Sequence, residues 1–141
     1  MNTGNVGRTC AAVGASLHLI RPYGFVITEK AIRRSGMDYW ADLDLHEYDN
    51  FDDFIARNQN AAIYVAETKT TYHYAQKRYG TNDFIIFGKE SAGIPESILR
   101  QYSENVVRIP MLPGRRSLNL ASSVAVVLYE ALRQNDFIGL S

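Results

Sequence analysis

Short apolar runs and helical patterns alternate along most of this chain. Each apolar run is five or six residues long and is bounded by glycine, proline or polar residues, as is typical of short strands. Strands and helices that alternate in this way predict an α/β fold, with a parallel sheet flanked by helices. The predicted strands are SLHLI (16–20), a weaker LDLHEY (43–48), AIYVA (62–66), DFIIFG (83–88) and NVVRIP (105–110).

Helix signals fill the segments between these runs. Asn50 is placed to cap a helix, and Pro95 falls in a first turn, where its missing N–H costs little. Gly14 and Gly36 stand where helices would end. The predicted helices are AAVG (11–14) after a turn-like NTGNVGR (2–8), EKAIRRSG (29–36), NFDDFIARNQ (50–59), TYHYAQKRYG (71–80), IPESILRQY (94–102) and SLNLASSVAVVLYEALRQ (117–134).

The last of these helices is apolar on more than one face. One stripe runs from Leu120 to Leu132 at helical spacing, and Val126 and Val127 lie outside it. A helix of this kind is buried on two sides. In a chain of 141 residues, we expect the second side to pack against a partner subunit.

Composition narrows the class of protein. A length of 141 residues fits one domain, and 46% hydrophobic with 21% charged residues is typical of a globular protein. No apolar run is long enough for a membrane span, and the single cysteine, Cys10, excludes an intrachain disulfide, so we predict a soluble, cytoplasmic protein. With 15 basic and 15 acidic residues, any binding of nucleic acid must come from a local patch.

Candidate chemistry lies in the three loops after AIYVA, DFIIF and NVVRI, because parallel sheets bind ligands at the carboxyl ends of their strands. The stretch FGKESAGIP (87–95) matches neither a phosphate loop nor a nucleophile elbow, and alone it reads as a plain loop. In IPMLPGRRSLNLA (109–121), helix capping and a solvated arginine pair are as good an explanation as function. His18, His46 and His73 show no metal-ligand spacing, so no metal site is predicted.

Taken together, three stretches resemble the three motifs of the SPOUT superfamily of knotted RNA methyltransferases. They are NTGNVGRTCAAVG, FGKESAGIP and IPMLPGRRSLNLASSVAVVLYEALRQ, in this order and at these distances. LHLIRPYGF and AIRRSGMDYW further resemble the small tRNA (cytidine/uridine-34-2′-O)-methyltransferase branch. The similarity covers the whole chain, 1–141, as one domain, although members of that branch carry a strand before N-T-G-N that this chain lacks.

The resemblance implies a fold, a cofactor and partners. The fold is a parallel sheet flanked by helices with a trefoil knot near the C-terminus. The implied methyl donor is S-adenosylmethionine, and the implied substrate is the ribose 2′-hydroxyl of nucleotide 34 in tRNA. A homodimer with its active site at the subunit interface is also implied, with neither a metal nor a membrane involved.

The resemblance also assigns roles to individual residues, motif by motif. Arg8 matches the residue linked to the reacting hydroxyl, but a guanidinium is almost always charged, so we expect it to hold a phosphate or a developing alkoxide rather than to act as a base. The implied cofactor-binding residues are Ala66, Gly88, Ile109, Ser117 and Leu118. The implied catalytic residues are Arg8, Asn2, Glu90, Ser117 and Asn119, and the candidate RNA-binding residues are Arg33, Arg34, Arg115 and Arg116.

Three other interpretations remain open from the sequence. A related enzyme could act on another tRNA position or on ribosomal RNA. The chain could instead be a non-catalytic dimer that binds cofactor or RNA. A general nucleotide-binding α/β protein is a third interpretation, which the missing phosphate loop disfavours.

Overall fold

A computed structural model describes residues 2–21, 41–88, 93–115 and 118–141, without the side chains of Asn2 and Thr3. The predicted helix at 29–36 lies outside these residues. Within them, the chain divides into two compact units, Met1–Asn60 and Ala61–Ser141. All the strand pairs in both units are parallel, so the prediction of an α/β fold with parallel sheets is confirmed for the described residues.

The described residues of the first unit form two α-helices and a two-stranded sheet. Its elements are α1 (Asn2–Val13), β1 (Leu17–Ile20), β2 (Leu45–Tyr48) and α2 (Phe51–Arg57). Strand β1 pairs with β2 from Leu17↔Leu45 to Ile20↔Tyr48. Asn50 caps α2 as predicted, because its side-chain oxygen accepts a hydrogen bond from the Asp53 amide at 2.8 Å.

Helix α1 is longer than the sequence indicated. It begins at Asn2 and includes Gly4 and Gly7, which we expected to form a turn. Gly4 and Gly7 are both buried, so tertiary packing outweighs the poor helix propensity of glycine here. The helix ends before Gly14, whose φ of 73° is the left-handed conformation of a helix terminus.

A histidine and a tyrosine tie the two strands of the first unit together. His18 Nδ1 lies 2.7 Å from the Tyr48 hydroxyl, and the His18 ring stacks on His46 with 4.5 Å between centroids. Burial, with a smaller contribution from His46, lowers the pKa of His18 to about 4. His18 is therefore neutral near pH 7 and has a structural role, as its position in an apolar strand predicted.

The part of the second unit that the structure describes forms a three-stranded sheet and two α-helices. Its elements are β3 (Ile63–Ala66), β4 (Phe84–Phe87), α3 (Glu96–Gln101), β5 (Val106–Val107) and α4 (Leu120–Gln134), with short 3₁₀ turns at Tyr74–Gln76 and Ser103–Asn105. The strand order is β4-β3-β5. The register of β3 with β4 begins at Ile63↔Phe84, and the register of β3 with β5 ends at Ala66↔Val107. Val65 in the central strand and Val107 in β5 are completely buried, which places the core on this sheet.

In the second unit, one helix prediction is wrong and another gives the start of its helix too early. The segment 71–80 is mostly irregular with a 3₁₀ turn at Tyr74–Gln76, because the Tyr74 amide donates to the Arg108 carbonyl at 2.9 Å and His73 forms an isolated bridge with Arg108. Helix α4 begins at Leu120, three residues later than expected. Val127, which was assigned to a second apolar face, is fully buried within its own chain.

None of the helices among the described residues is both long and apolar enough to span a bilayer. The same residues hold no cluster of three or more potential metal ligands.

Candidate cofactor site

A cavity of about 490 Å³ opens at the carboxyl ends of the three strands in the second unit. A volume of this size suits a nucleoside-sized ligand. Each of the three loops singled out in the sequence contributes to it. The lining residues are Ala66, Glu67, Thr68, Phe87, Gly88, Gly93, Val107, Arg108, Ile109, Met111, Leu118, Asn119, Leu120, Ser123 and Val127.

The end of β4 forms one wall, where two stretches of backbone meet. A Cβ placed on Gly88 would lie 2.6 Å from the Gly93 carbonyl carbon and 2.8 Å from the Ile94 nitrogen. Real Cβ contacts are never this short, so only glycine fits at position 88. Gly93 has a φ of 67°, which a side chain would also disfavour.

The end of β3 supplies an apolar residue and a charged one. Ala66 is followed by Glu67, whose amide donates to the Val107 carbonyl at 2.9 Å. The Glu67 carboxylate accepts hydrogen bonds through Oε1 from the Thr68 amide at 2.7 Å and the Thr68 hydroxyl at 3.1 Å. These bonds fix the orientation of the carboxylate at the cavity wall.

The segment after β5 lines the opposite side with larger side chains. Ile109 and Met111 are partly buried, whereas Leu118 is 41% exposed. An exposed leucine at the rim of a cavity can cover a flat apolar group such as a purine ring. Arg115, in the same segment, is exposed.

Asn119 is the cap of α4. Its side-chain oxygen accepts hydrogen bonds from the amides of Ala121 at 2.9 Å and Ser122 at 3.3 Å. This cap holds the first turn of α4 beside the cavity. The contacts described for this side chain are those of helix capping, the alternative that local sequence had favoured equally.

Five of the residues assigned by resemblance meet in this cavity, namely Ala66, Gly88, Ile109, Leu118 and Asn119. Arg8 is an exposed residue of α1, in the first unit. Arg115 is exposed, and the remaining assigned positions lie outside the described residues, namely Glu90, Ser117, Arg33, Arg34, Arg116 and the side chain of Asn2.

The sequence analysis found Asn119 but missed other polar residues of the cavity, among them Glu67, Arg108 and Ser123. Glu67 and Arg108 follow directly after predicted strands, so the strand-end rule could have identified them. Ser123 lies on α4 four residues beyond Asn119, and this helical spacing could have placed it on the same face.

The cavity suits S-adenosylmethionine by shape and by chemistry. Its walls combine apolar side chains, which accommodate adenine, with the two-glycine contact, which lets a ligand approach the backbone closely. Its polar side chains include an acid, a base, hydroxyls and an amide, and these match a ligand with hydroxyl, ammonium and carboxylate groups.

Comparison with known proteins finds relatives that are named for methylation of tRNA. A relative from Saccharophagus degradans named tRNA (cytidine(34)-2′-O)-methyltransferase is 42% identical over 141 residues, 98% of this chain and 90% of its own. A solved structure described as giving insights into the 2-OH methylation of C/U34 on tRNA has a TM-score of 0.89 at 40% identity, covering 96% of this chain and 88% of that one.

A second solved structure carries the methyl donor. The rRNA methyltransferase from Sinorhizobium meliloti, solved with AdoMet bound, has a TM-score of 0.78 at 26% identity, covering 94% of this chain and 51% of that one. The sequence itself matches the SpoU rRNA Methylase family over residues 1–129, so the resemblance seen in its motifs is confirmed. This chain belongs to the SpoU rRNA Methylase family.

Proposed function

We propose that this chain is a tRNA methyltransferase that transfers a methyl group from S-adenosylmethionine to the ribose 2′-hydroxyl of nucleotide 34. One observation carries the proposal: residues 66, 88, 109 and 118, matched to cofactor-binding positions by sequence motif, line a single cavity at the strand ends. The names of the relatives support the reaction and the position on tRNA.

When bound, S-adenosylmethionine would supply an electrophilic methyl carbon, because its positively charged sulfonium sulfur is a good leaving group that becomes a neutral thioether. The chain must hold oxygen, carbon and sulfur in line. Gly88 and Gly93 give the donor close access to backbone, while Ile109 and Leu118 cover its adenine. Ala66, at the end of β3, leaves room between them.

Arg8 acts on the RNA side of the reaction. A guanidinium offers hydrogen-bond donors and no acceptor, so Arg8 does not remove the hydroxyl proton, which passes to water. It binds a phosphate beside the target ribose and stabilises negative charge as it develops on the oxygen.

The remaining assigned residues complete the proposed site. Asn2, Glu90 and Ser117 are the remaining catalytic candidates of the three motifs. Glu90 orients the cofactor loop or Arg8, and Ser117 also contacts the cofactor. Asn119 holds the start of α4 against the cavity by capping it. The phosphates of tRNA are bound by an arginine set made of Arg33, Arg34, Arg115 and Arg116.

We further infer the finer features that the motif resemblance implies. The chain is a single SPOUT domain with a trefoil knot in its C-terminal part, and it works in the cytoplasm as a homodimer. Exposed Tyr129 on α4, with 46% of its surface accessible, is available to such an interface. Because the net charge of the chain is zero, one subunit has no general attraction for RNA. In a dimer, the arginines of both subunits together form one basic surface that binds RNA.

The proposal is tested by incubating the purified chain with S-adenosylmethionine carrying a labelled methyl group and with tRNA that lacks this modification. We expect label on the ribose of nucleotide 34 after nuclease digestion and mapping. A matched tRNA already 2′-O-methylated at that nucleotide should accept none. Label at another nucleotide, or only on ribosomal RNA, would overturn the assigned substrate, and cofactor binding without any methyl transfer would overturn the enzyme assignment.

A further inference from the structure

Two side chains of opposite charge line the cavity from adjacent strand ends. Strands β3 and β5 pair in the register Ala66↔Val107, so Glu67 and Arg108 hold the next positions along the same two strands. Neighbouring strands lie about 4.8 Å apart, so one small ligand group can contact both side chains.

Glu67 and Arg108 are not paired with each other. Among the ion pairs of the described residues, none includes either side chain. The two hydrogen bonds from Thr68 engage Oε1 of Glu67, and Oε2 lies 3.6 Å from the position that a Cβ on Gly93 would occupy. Thr68 therefore holds the carboxylate toward the glycine wall of the cavity.

The backbone beneath Arg108 is fixed as well. Its amide donates to the Tyr72 carbonyl and its carbonyl accepts from the Tyr74 amide, each at 2.9 Å. Both charged side chains thus start from backbone held by hydrogen bonds on a neighbouring segment. Each is partly buried, and a partly buried charge gains most from a partner of opposite sign.

A ligand with both a positive and a negative group can form ion pairs with Glu67 and Arg108 at the same time. The nucleoside half of S-adenosylmethionine carries neither an acid nor an amine of high pKa, whereas its amino-acid half has an ammonium and a carboxylate. We propose that Glu67 and Arg108 bind this amino-acid half, with the Glu67 carboxylate accepting from the ammonium and the Arg108 guanidinium donating to the carboxylate. This inference rests on the proposed function.

The test compares two ligands that share the nucleoside and the sulfur. S-Adenosylhomocysteine carries the amino-acid half, and 5′-methylthioadenosine lacks it. Calorimetric titration of each ligand gives its Kd for the wild-type chain and for Glu67→Gln and Arg108→Gln. Glu104→Gln and Arg100→Gln serve as matched controls, because both residues are exposed and outside the cavity.

We expect Glu67→Gln and Arg108→Gln each to weaken S-adenosylhomocysteine about ten- to hundredfold, the value of a hydrogen bond to a charged group. The Kd of 5′-methylthioadenosine should stay within about twofold, since the nucleoside contacts are retained. The controls should change neither constant. An unchanged 5′-methylthioadenosine constant also shows that the variant is folded.

Two results would overturn the inference alone. One is an equal loss for both ligands, which would place Glu67 and Arg108 against the nucleoside or in the fold. The other is an unchanged constant for S-adenosylhomocysteine in both variants. A wild-type chain that binds neither ligand would overturn the proposed function, and the inference with it.

Discussion

Replacing Gly88 with alanine tests whether the cavity depends on the close backbone contact between Gly88 and Gly93–Ile94. The new methyl group would lie 2.6 Å from the Gly93 carbonyl carbon, 2.8 Å from the Ile94 nitrogen and 2.9 Å from the Gly93 oxygen. Ordinary contact begins at 3.4 Å, so the loop must move by about 0.8 Å (3.4 minus 2.6). All three atoms belong to the backbone, so no side chain can rotate away.

The cost of this movement follows from what anchors the loop. Ile94 is buried, so the displacement is resisted on the core side and falls on the cavity wall. Overpacking of this kind costs about 1–3 kcal/mol of unfolding free energy. A wall displaced by nearly 1 Å also misaligns the bound donor, for which a loss of about a hundredfold in turnover is expected.

Gly80→Ala is the control for this substitution. A Cβ at Gly80 would come within 3.3 Å of the Asp83 carboxylate, a flexible side chain that can shift by a few tenths of an ångström. We expect its unfolding free energy to stay within about 0.5 kcal/mol of wild type. Urea denaturation measures stability, and titration with S-adenosylhomocysteine measures binding. Wild-type stability and affinity in Gly88→Ala would refute the reasoning.

Three further predictions concern other parts of the chain. Arg8→Lys should keep the Kd for S-adenosylhomocysteine and lose most tRNA methylation, because the fork of donors is gone; near-normal turnover would contradict this role. Asn119→Ala should cost about 1 kcal/mol in urea denaturation through loss of the α4 cap, and Asn119→Asp should restore most of it; an Asp variant as unstable as Ala would contradict capping. His18, with its pKa lowered from 6.5 to about 4 in the folded chain, should make stability fall as pH drops from about 6.5 toward 4, since the unfolded state binds the proton first. His18→Gln should flatten that stretch of the stability–pH curve, and an unchanged slope would contradict the assignment.

The sequence predicts elements well where local signals agree with their surroundings. IYVA and FIIF read as buried strands and are the paired strands of the second unit. Asn50 reads as a cap and accepts the predicted backbone hydrogen bond. In these cases, both the sequence pattern and the structure that it predicts depend on residues that are close along the chain.

Segment 71–80 shows where such reading fails. Its composition permits a helix, but its backbone forms hydrogen bonds with distant residues instead. The Tyr79 amide donates to Gln134 Oε1 at 2.9 Å rather than to a carbonyl one helical turn earlier. The Tyr64 hydroxyl donates to the Arg78 carbonyl at 2.7 Å. These partners are 14 to 55 residues away in sequence, so no local pattern contains them.

The candidate site was likewise predicted from the sequence only in part. The strand-end rule led to the three loops that line the cavity, and motif resemblance selected Ala66, Gly88, Ile109 and Leu118 within them. The strand-end rule could have pointed to Glu67 and Arg108 one by one, but their position next to each other depends on the register between β3 and β5. The register between two strands is established when the sheet assembles, and it cannot be read from the local sequence of either strand.

The way the cavity is built affects how freely this sequence can change during evolution. Much of its frame is main chain: the Glu67 amide bonded to Val107, the Arg108 amide and carbonyl bonded to the neighbouring segment, and two glycine backbones in contact. Any residue with a peptide group can supply such bonds, apart from proline. Positions that contribute only main chain are therefore free to drift, whereas substitutions are restricted where a side chain would fill the space, as at Gly88. Mutational scanning of the cavity should therefore show tolerance at main-chain positions, and sharp intolerance at Gly88 and at the two side chains proposed to bind the ligand, Glu67 and Arg108.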